Sequence, residues 1–242
     1  MDVISHGPED ANIRRFGLGG EGMVVDIDRR RLAGAAWLAS GLTYGVTEAL
    51  SASRFTPRYS YAHNFISELG VSDCGVAAHG WNACSPLHGL MNAGFIAEGL
   101  LFIVAVGVVF NLLSSRSRYA FAVLAVAHGV GLILVGLFHG GGSAFVNGAM
   151  AYHVLGATLA IIGGNLAILV SSAPREFGAP RAIKLLSKTA PVAGILAVVI
   201  LAIGAARHAI LLLDYGAWER LSVYTILGWE AVFGSWLLLG RR

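Results

Sequence analysis

The sequence predicts an all-α polytopic membrane protein: a single bundle of six transmembrane helices with a structured first extracytoplasmic loop. Three observations carry that reading. Of 242 residues, 56% are hydrophobic and only 13% charged, about half the charged share with which a soluble domain of this size covers its surface. Mean hydropathy is +0.69. The 17 basic and 14 acidic side chains cluster between long apolar runs, and none of those runs alternates with period two as a membrane β-barrel strand would.

The elements follow in chain order. Residues 1–28 are polar, of mixed charge and without an apolar run, so a disordered cytoplasmic tail is expected, followed by a six-helix domain over 29–242. An apolar run of about 20 residues crosses the roughly 30 Å hydrocarbon core as a helix. Six runs meet that length, at about 32–50, 87–113, 119–138, 152–170, 191–213 and 221–239, with an extracytoplasmic loop at 51–86 after the first. On the first span Trp37, Gly41, Tyr44 and Glu48 form one stripe. In the fourth, Gly156, Ala160 and Gly164 recur every four residues, a spacing that lets membrane helices approach closely. The fifth aligns Gly194, Val198, Leu201, Ala205 and His208. Arg207 lies off that stripe, either snorkelling outward or pairing with Glu48.

Orientation follows from the basic residues. With the N-terminus inside, 13 of the 17 Lys and Arg fall on the cytoplasmic side, leaving Arg54, Arg58, Arg207 and Arg220 on or near the other. Cytoplasmic loops carry this excess, so both termini are expected inside the cytoplasmic membrane. The net charge of +3 is then a topology signal, and no nucleic-acid partner is expected.

The long outer loop is the most informative segment. Tyr61, Phe65, Ile66 and Leu69 fall on one face at helical spacing, with Ser60 as a start cap and Gly70 as an end cap. A short amphipathic helix on the bundle mouth is expected, covering helix ends or acting as a lid. Cys74 and Cys84, the only cysteines, both lie in this loop. A disulfide between them is expected over two free thiols, stabilising by about 2–3 kcal/mol in the chain-entropy model.

Six of eight histidines map to the outer side: His63, His79, His88, His139, His153 and His208. An outer pocket, if formed, is expected to be walled by His88, Asn92, His139 and His153, beside His208 and Glu48, with the Tyr61–Leu69 segment above. Imidazoles from neighbouring helices can hold zinc, which makes His139, His153 and His208 the metal candidates. No pair has a local ligand spacing such as HExxH, so a plain polar rim is favoured and no cofactor is expected. Within the membrane, Glu98, His128 and Glu230 sit near the middle of their spans. A charge there costs at least about 2.5–3.5 kcal/mol, so the three should face inward, as a relay or as hydrogen-bonded register pins.

The segment Tyr59 to Gly70, with its Asn64-Phe65-Ile66-Ser67-Glu68-Leu69-Gly70 core, resembles the signature of a prokaryotic six-helix membrane family catalogued as domain of unknown function 998. Gly136-Leu137-Phe138, His153-Val154-Leu155-Gly156-Ala157 and Gly164-Asn165 are similar to that family's third-to-fourth span region. His139 stands where the family pattern often has proline. The resemblance implies six helices and an ordered first outer loop, and it implies no reaction.

There is no Gly-rich phosphate loop, GxSxG elbow or Asp-rich pair. The favoured function is therefore non-enzymatic: binding membrane lipids, or an unidentified membrane protein, in the envelope. Two alternatives are a metal-dependent hydrolase with Glu48 or Asp214 as base, and a proton-coupled carrier using Glu98, His128 and Glu230.

Overall fold

The computed structural model describes residues 19–76 and 82–240. Of the tail expected over 1–28, residues 1–18 lie outside the described residues, and so does His79. Residues 19–28 are helical, because α1 begins at Gly19 and runs unbroken to Arg54 (Gly19–Arg54). The order continues with a 3-10 turn (Ile66–Gly70), a two-stranded hairpin of β1 (Gly75–Val76) and β2 (Asn82–Ala83), α2 (His88–Phe110), α3 (Ser117–Leu137), α4 (Gly142–Asn147), α5 (Ala149–Val170), α6 (Ala173–Glu176), α7 (Arg181–Arg207) and α8 (Tyr215–Leu239). Among the described residues five helices are long and apolar enough to cross a membrane: α2, α3, α5 with its α6 extension, α7 and α8. This is a multi-pass membrane protein.

The six long helices close into a ring. Each packs on the next in sequence, α1 on α2, α2 on α3, α3 on α5, α5 on α7 and α7 on α8, and α1 against α8 completes the circle. The α3–α5 seam is the tightest, and the small-residue stripe explains it. A Cβ at Gly131 would come within 2.6 Å of the Gly156 carbonyl, and one at Gly156 within 2.8 Å of the Gly131 carbonyl. Only glycine at these two positions lets the backbones touch. The α5–α7 seam is the loosest in the ring.

Both ends of the fifth long helix differ from the expected span. The fifth span was placed at 191–213, but α7 starts at Arg181 and passes through Pro191. Proline removes one helical hydrogen bond, a loss that packing against neighbouring helices lets a membrane helix accommodate. Pro191 and Ser187 are both buried there, and the Ser187 hydroxyl donates to the Ile183 carbonyl at 2.8 Å while accepting from Trp229 Nε1 at 2.8 Å. The same helix stops at Arg207, because His208 turns left-handed at φ 51° and Leu212 follows at φ 61°.

The half of the core away from the 51–86 loop is aromatic. Trp37 packs edge-on against Trp229 at 5.3 Å and lies 5.4 Å from Phe233, with Phe102 and Phe121 also fully buried. The half on the side of that loop is built from Tyr44, Phe55, Tyr59, Ile66, Leu69, Met91 and Phe95, so the loop contributes to the core itself.

Candidate functional site

The loop between α1 and α2 is a strap across one mouth of the bundle, and Arg220 of α8 pins it. Arg220 is 6% exposed. It donates from Nη1 to the carbonyls of Tyr61 (2.7 Å), Asn64 (2.8 Å) and Gly216 (3.2 Å) and from Nε to Glu48 Oε1 at 3.2 Å, and its Nη2 lies 3.1 Å from the same carboxylate oxygen. Nη2 also donates to the Tyr59 hydroxyl, which in turn donates to the Phe65 carbonyl at 2.8 Å. Burial raises the Tyr59 phenol above its ordinary range, so that donor keeps its proton. Tyr224 completes the Glu48 shell with bonds of 3.0 and 2.9 Å. At Gly216 any side chain would collide with the Asn64 carbonyl.

This arrangement decides between the two alternatives for Arg207 and corrects one expectation. Glu48 pairs with Arg220, and Arg207 stays exposed at the end of α7. The segment Tyr59–Gly70 is also not an amphipathic α-helix. Its carbonyls at Tyr61 and Asn64, which helix geometry would assign to amides four residues on, go to the guanidinium, and only Ile66–Gly70 closes as a 3-10 turn. Ser60 caps a local turn, accepting from the His63 amide at 3.4 Å. Ile66 and Leu69 are buried while Tyr61 is 47% exposed.

Further contacts lock the strap. Ile66 N–H donates to Glu219 Oε2 at 2.5 Å, Ser85 to the Leu69 carbonyl at 2.6 Å, and Asn92 to the Gly70 carbonyl at 2.9 Å. Cys74 and Cys84 are joined by a disulfide. Beyond it, Asp73 accepts from the Ser143 hydroxyl and, at 3.1 Å, from the Ser143 amide. Those bonds, the hydroxyl's first, hold the Asp73 carboxyl below its ordinary value. The Gly140-Gly141-Gly142 connector is thereby docked on the first loop.

Beneath the strap lies a cavity of about 430 Å³. Its roof is Phe65–Val71 and the disulfide, one side is the connector with Phe145, and the walls are His153, Val154, Ala157 and Ile161 of α5 with Val198 and Leu201 of α7. It therefore occupies the outer end of the loosest seam. Val154 and Phe145 are 55% and 58% exposed, so the cavity opens sideways between the helices as well as outward. Below it, a void of about 40 Å³ shares Ser67, Ala157, Ile161 and Glu219 with the cavity and reaches Glu98 and His128. That is room for about one water molecule.

Two of the interior polar residues, Glu98 and His128, meet. His128 Nδ1 bonds the Ala160 carbonyl at 2.7 Å, which makes that nitrogen the donor, and its Nε2 lies 3.0 Å from Glu98 Oε1. Glu230 is fully buried nearby, with neither oxygen in a hydrogen bond. The Ser40 hydroxyl donates instead to the Glu98 carbonyl at 3.1 Å.

Of the expected outer set only His153 lines the cavity. His88 bonds Ser85 at the start of α2, Asn92 holds the strap, His208 ends α7, and Glu48 faces a separate groove between α1 and α8. His139 does not join the lining. His63 pairs with Asp214 at 2.7 Å. Among the described residues no three His, Cys, Asp or Glu side chains are placed to share a metal ion, so His139, His153 and His208 are not brought together. The cavity's own acids, Glu68, Asp73 and Glu219, were missed. Glu68 stands in the Asn64–Gly70 motif without an assigned role, and the signal for Glu219 was its place beside Arg220 at the mouth of an apolar run.

No curated protein and no solved structure matches this chain. A sequence profile does match it, over residues 32–236, which takes in all six long helices and the strap. By that match the chain belongs to the family described as protein of unknown function DUF998.

Proposed function

We propose that this is a six-span protein of the cytoplasmic membrane, with both termini inside, that binds a lipid or similar amphiphile in the outer-leaflet cavity without transforming it. The single observation that carries the reading is the cavity's position. It is apolar along α5 and α7, polar under the strap, and open sideways where an acyl chain would enter from the bilayer. Its size falls within the range of small-molecule sites. The disulfide supports an oxidising outer side, and 13 of 17 basic residues map to the other. In this reading α1 is the sixth span, and neither a cofactor nor a protein partner is required.

Native mass spectrometry from mild detergent tests it. The wild type should retain about one amphiphile per chain, and Thr158→Trp, which fills the cavity from its lipid side, should retain none at an unchanged unfolding temperature. Equal retention by the two proteins would overturn the reading. A second reading, the proton-coupled carrier, draws on the void between the cavity and the Glu98–His128 pair. It predicts ligand-dependent proton uptake that Glu98→Gln abolishes.

A further inference from the structure

Resting on the amphiphile reading above, we infer that the cavity selects an amphiphile with a primary ammonium head. The charged side chains among the described residues that line it are Glu68, Asp73 and Glu219, with no Lys or Arg. Arg220, adjacent to Glu219, does not offset them, because its donors are committed to Glu48, Tyr59 and three carbonyls on the strap and α8.

The neutral groups of the lining point the same way. His153 is 7% exposed, and its Nδ1 proton goes to the Phe138 carbonyl at 2.8 Å. Its Nε2 therefore presents a lone pair at the cavity wall, beside Gly140, with no protein partner. The hydroxyl protons of Ser85 and Thr158 go to the carbonyls of Leu69 and Val154. Glu219 uses Oε2 for the Ile66 amide and keeps Oε1.

The polar end of the cavity is thus rich in acceptors and negative in charge. A primary ammonium brings three N–H donors and one positive charge, which is the complement of that surface. A phosphate head would set its own charge against the Glu68 and Asp73 carboxylates, beside the buried Glu219 carboxyl, without a basic side chain to receive it. The apolar remainder, from Phe145 and Met150 down to Ile161 and Leu201, takes the chain.

The test uses the full-length protein in uncharged detergent with four photoreactive probes. They share one alkyl chain and carry an ammonium, trimethylammonium, hydroxyl or phosphate head. The ammonium probe should label the peptides around Phe145–Ile161 and Val198–Leu201 at least about tenfold more strongly than the phosphate probe, with the trimethylammonium and hydroxyl probes between them. An unlabelled primary alkylamine should compete. Asp73→Asn with Glu219→Gln should bring the four probes to within about threefold of one another while hydroxyl-probe labelling stays at the same peptides. Gln keeps an oxygen for the Ile66 amide, and the wild-type series decides even if that double variant does not fold. Equal labelling by all four heads, or preference for phosphate, would overturn the ammonium inference and leave the amphiphile cavity standing. Trimethylammonium labelling equal to ammonium would overturn the N–H donor match. No probe in the cavity would overturn both readings.

Discussion

Replacing Arg220 by methionine should be the most damaging single change to the outer half of the molecule. Methionine keeps most of the stem's volume, so the loss is that of the charge and its donors. Glu48 is 3% exposed and keeps only the two Tyr224 bonds, which leaves a buried carboxylate without its counter-ion. Breaking a buried pair this way costs about 3–5 kcal/mol. The freed carbonyls of Tyr61 and Asn64 add little where water can replace the guanidinium, at most about 1 kcal/mol each. Adding Glu48→Gln removes the orphaned charge and should recover about 2 kcal/mol of the loss. The assay is unfolding in mild detergent followed by tryptophan fluorescence, with hydrogen exchange over residues 59–70 as the local readout. Exchange there should rise in Arg220→Met and fall back in the double variant. A loss below about 1 kcal/mol, or strictly additive losses in the two variants, would refute the claim that Arg220 pins the strap through Glu48.

Three further outcomes are expected. Gly131→Leu should destabilise by at least about 2 kcal/mol, because its first side-chain atom already meets the α5 backbone, whereas Gly107→Ala, with open space around it, should be neutral or slightly stabilising; thermal unfolding of the two side by side checks this. Glu98→Gln should cost under about 1 kcal/mol, since its amide can donate to the same His128 nitrogen, while Glu98→Leu should cost about 2 kcal/mol or more by leaving that nitrogen unpartnered; equal losses in unfolding experiments would sink the argument. The docking of the connector should weaken in acid: the Asp73 carboxyl is lowered in the folded protein, so its contribution is complete above the ordinary carboxylate range of about 3.9 and is lost as pH falls through the lowered value. Hydrogen exchange at residues 140–145 should accelerate across that acid window in the wild type and show no such step in Asp73→Asn.

What the sequence makes legible here is whatever the bilayer dictates one helix at a time. Five of the six runs appear as helices long and apolar enough to cross a membrane, because hydrocarbon demands about 20 apolar residues wherever a helix crosses. The Gly156–Ala160–Gly164 stripe marks the tightest seam for a similarly local reason. The cysteine pair was readable too, two thiols in one loop. The strap was not. Tyr61, Phe65, Ile66 and Leu69 have helical spacing, yet the group that decides their backbone is Arg220, more than 150 residues away. The outer histidines fail for another reason: the sequence gives the depth of a residue along its helix but not its azimuth around the bundle. His88, His139, His153 and His208 lie at the outer ends of four helices, and only His153 faces the cavity.

The same distinction explains why α1 is the long helix that its own hydropathy does not mark. Ser40, Thr47, Glu48 and Ser51 are all buried on it. Ser40 donates to the Glu98 carbonyl of α2, Ser51 to the Leu87 carbonyl at the start of that helix, and Glu48 takes Arg220 of α8. A polar side chain is costly in lipid only while it lacks a partner, and here the partners come from helices that lie on either side of α1 in the ring. Hydropathy scores a helix against lipid, whereas α1 is scored by its neighbours. Glu48 is also the anchor of the strap through Arg220, so a residue that lowers the apolar count of α1 is one that holds the roof over the cavity.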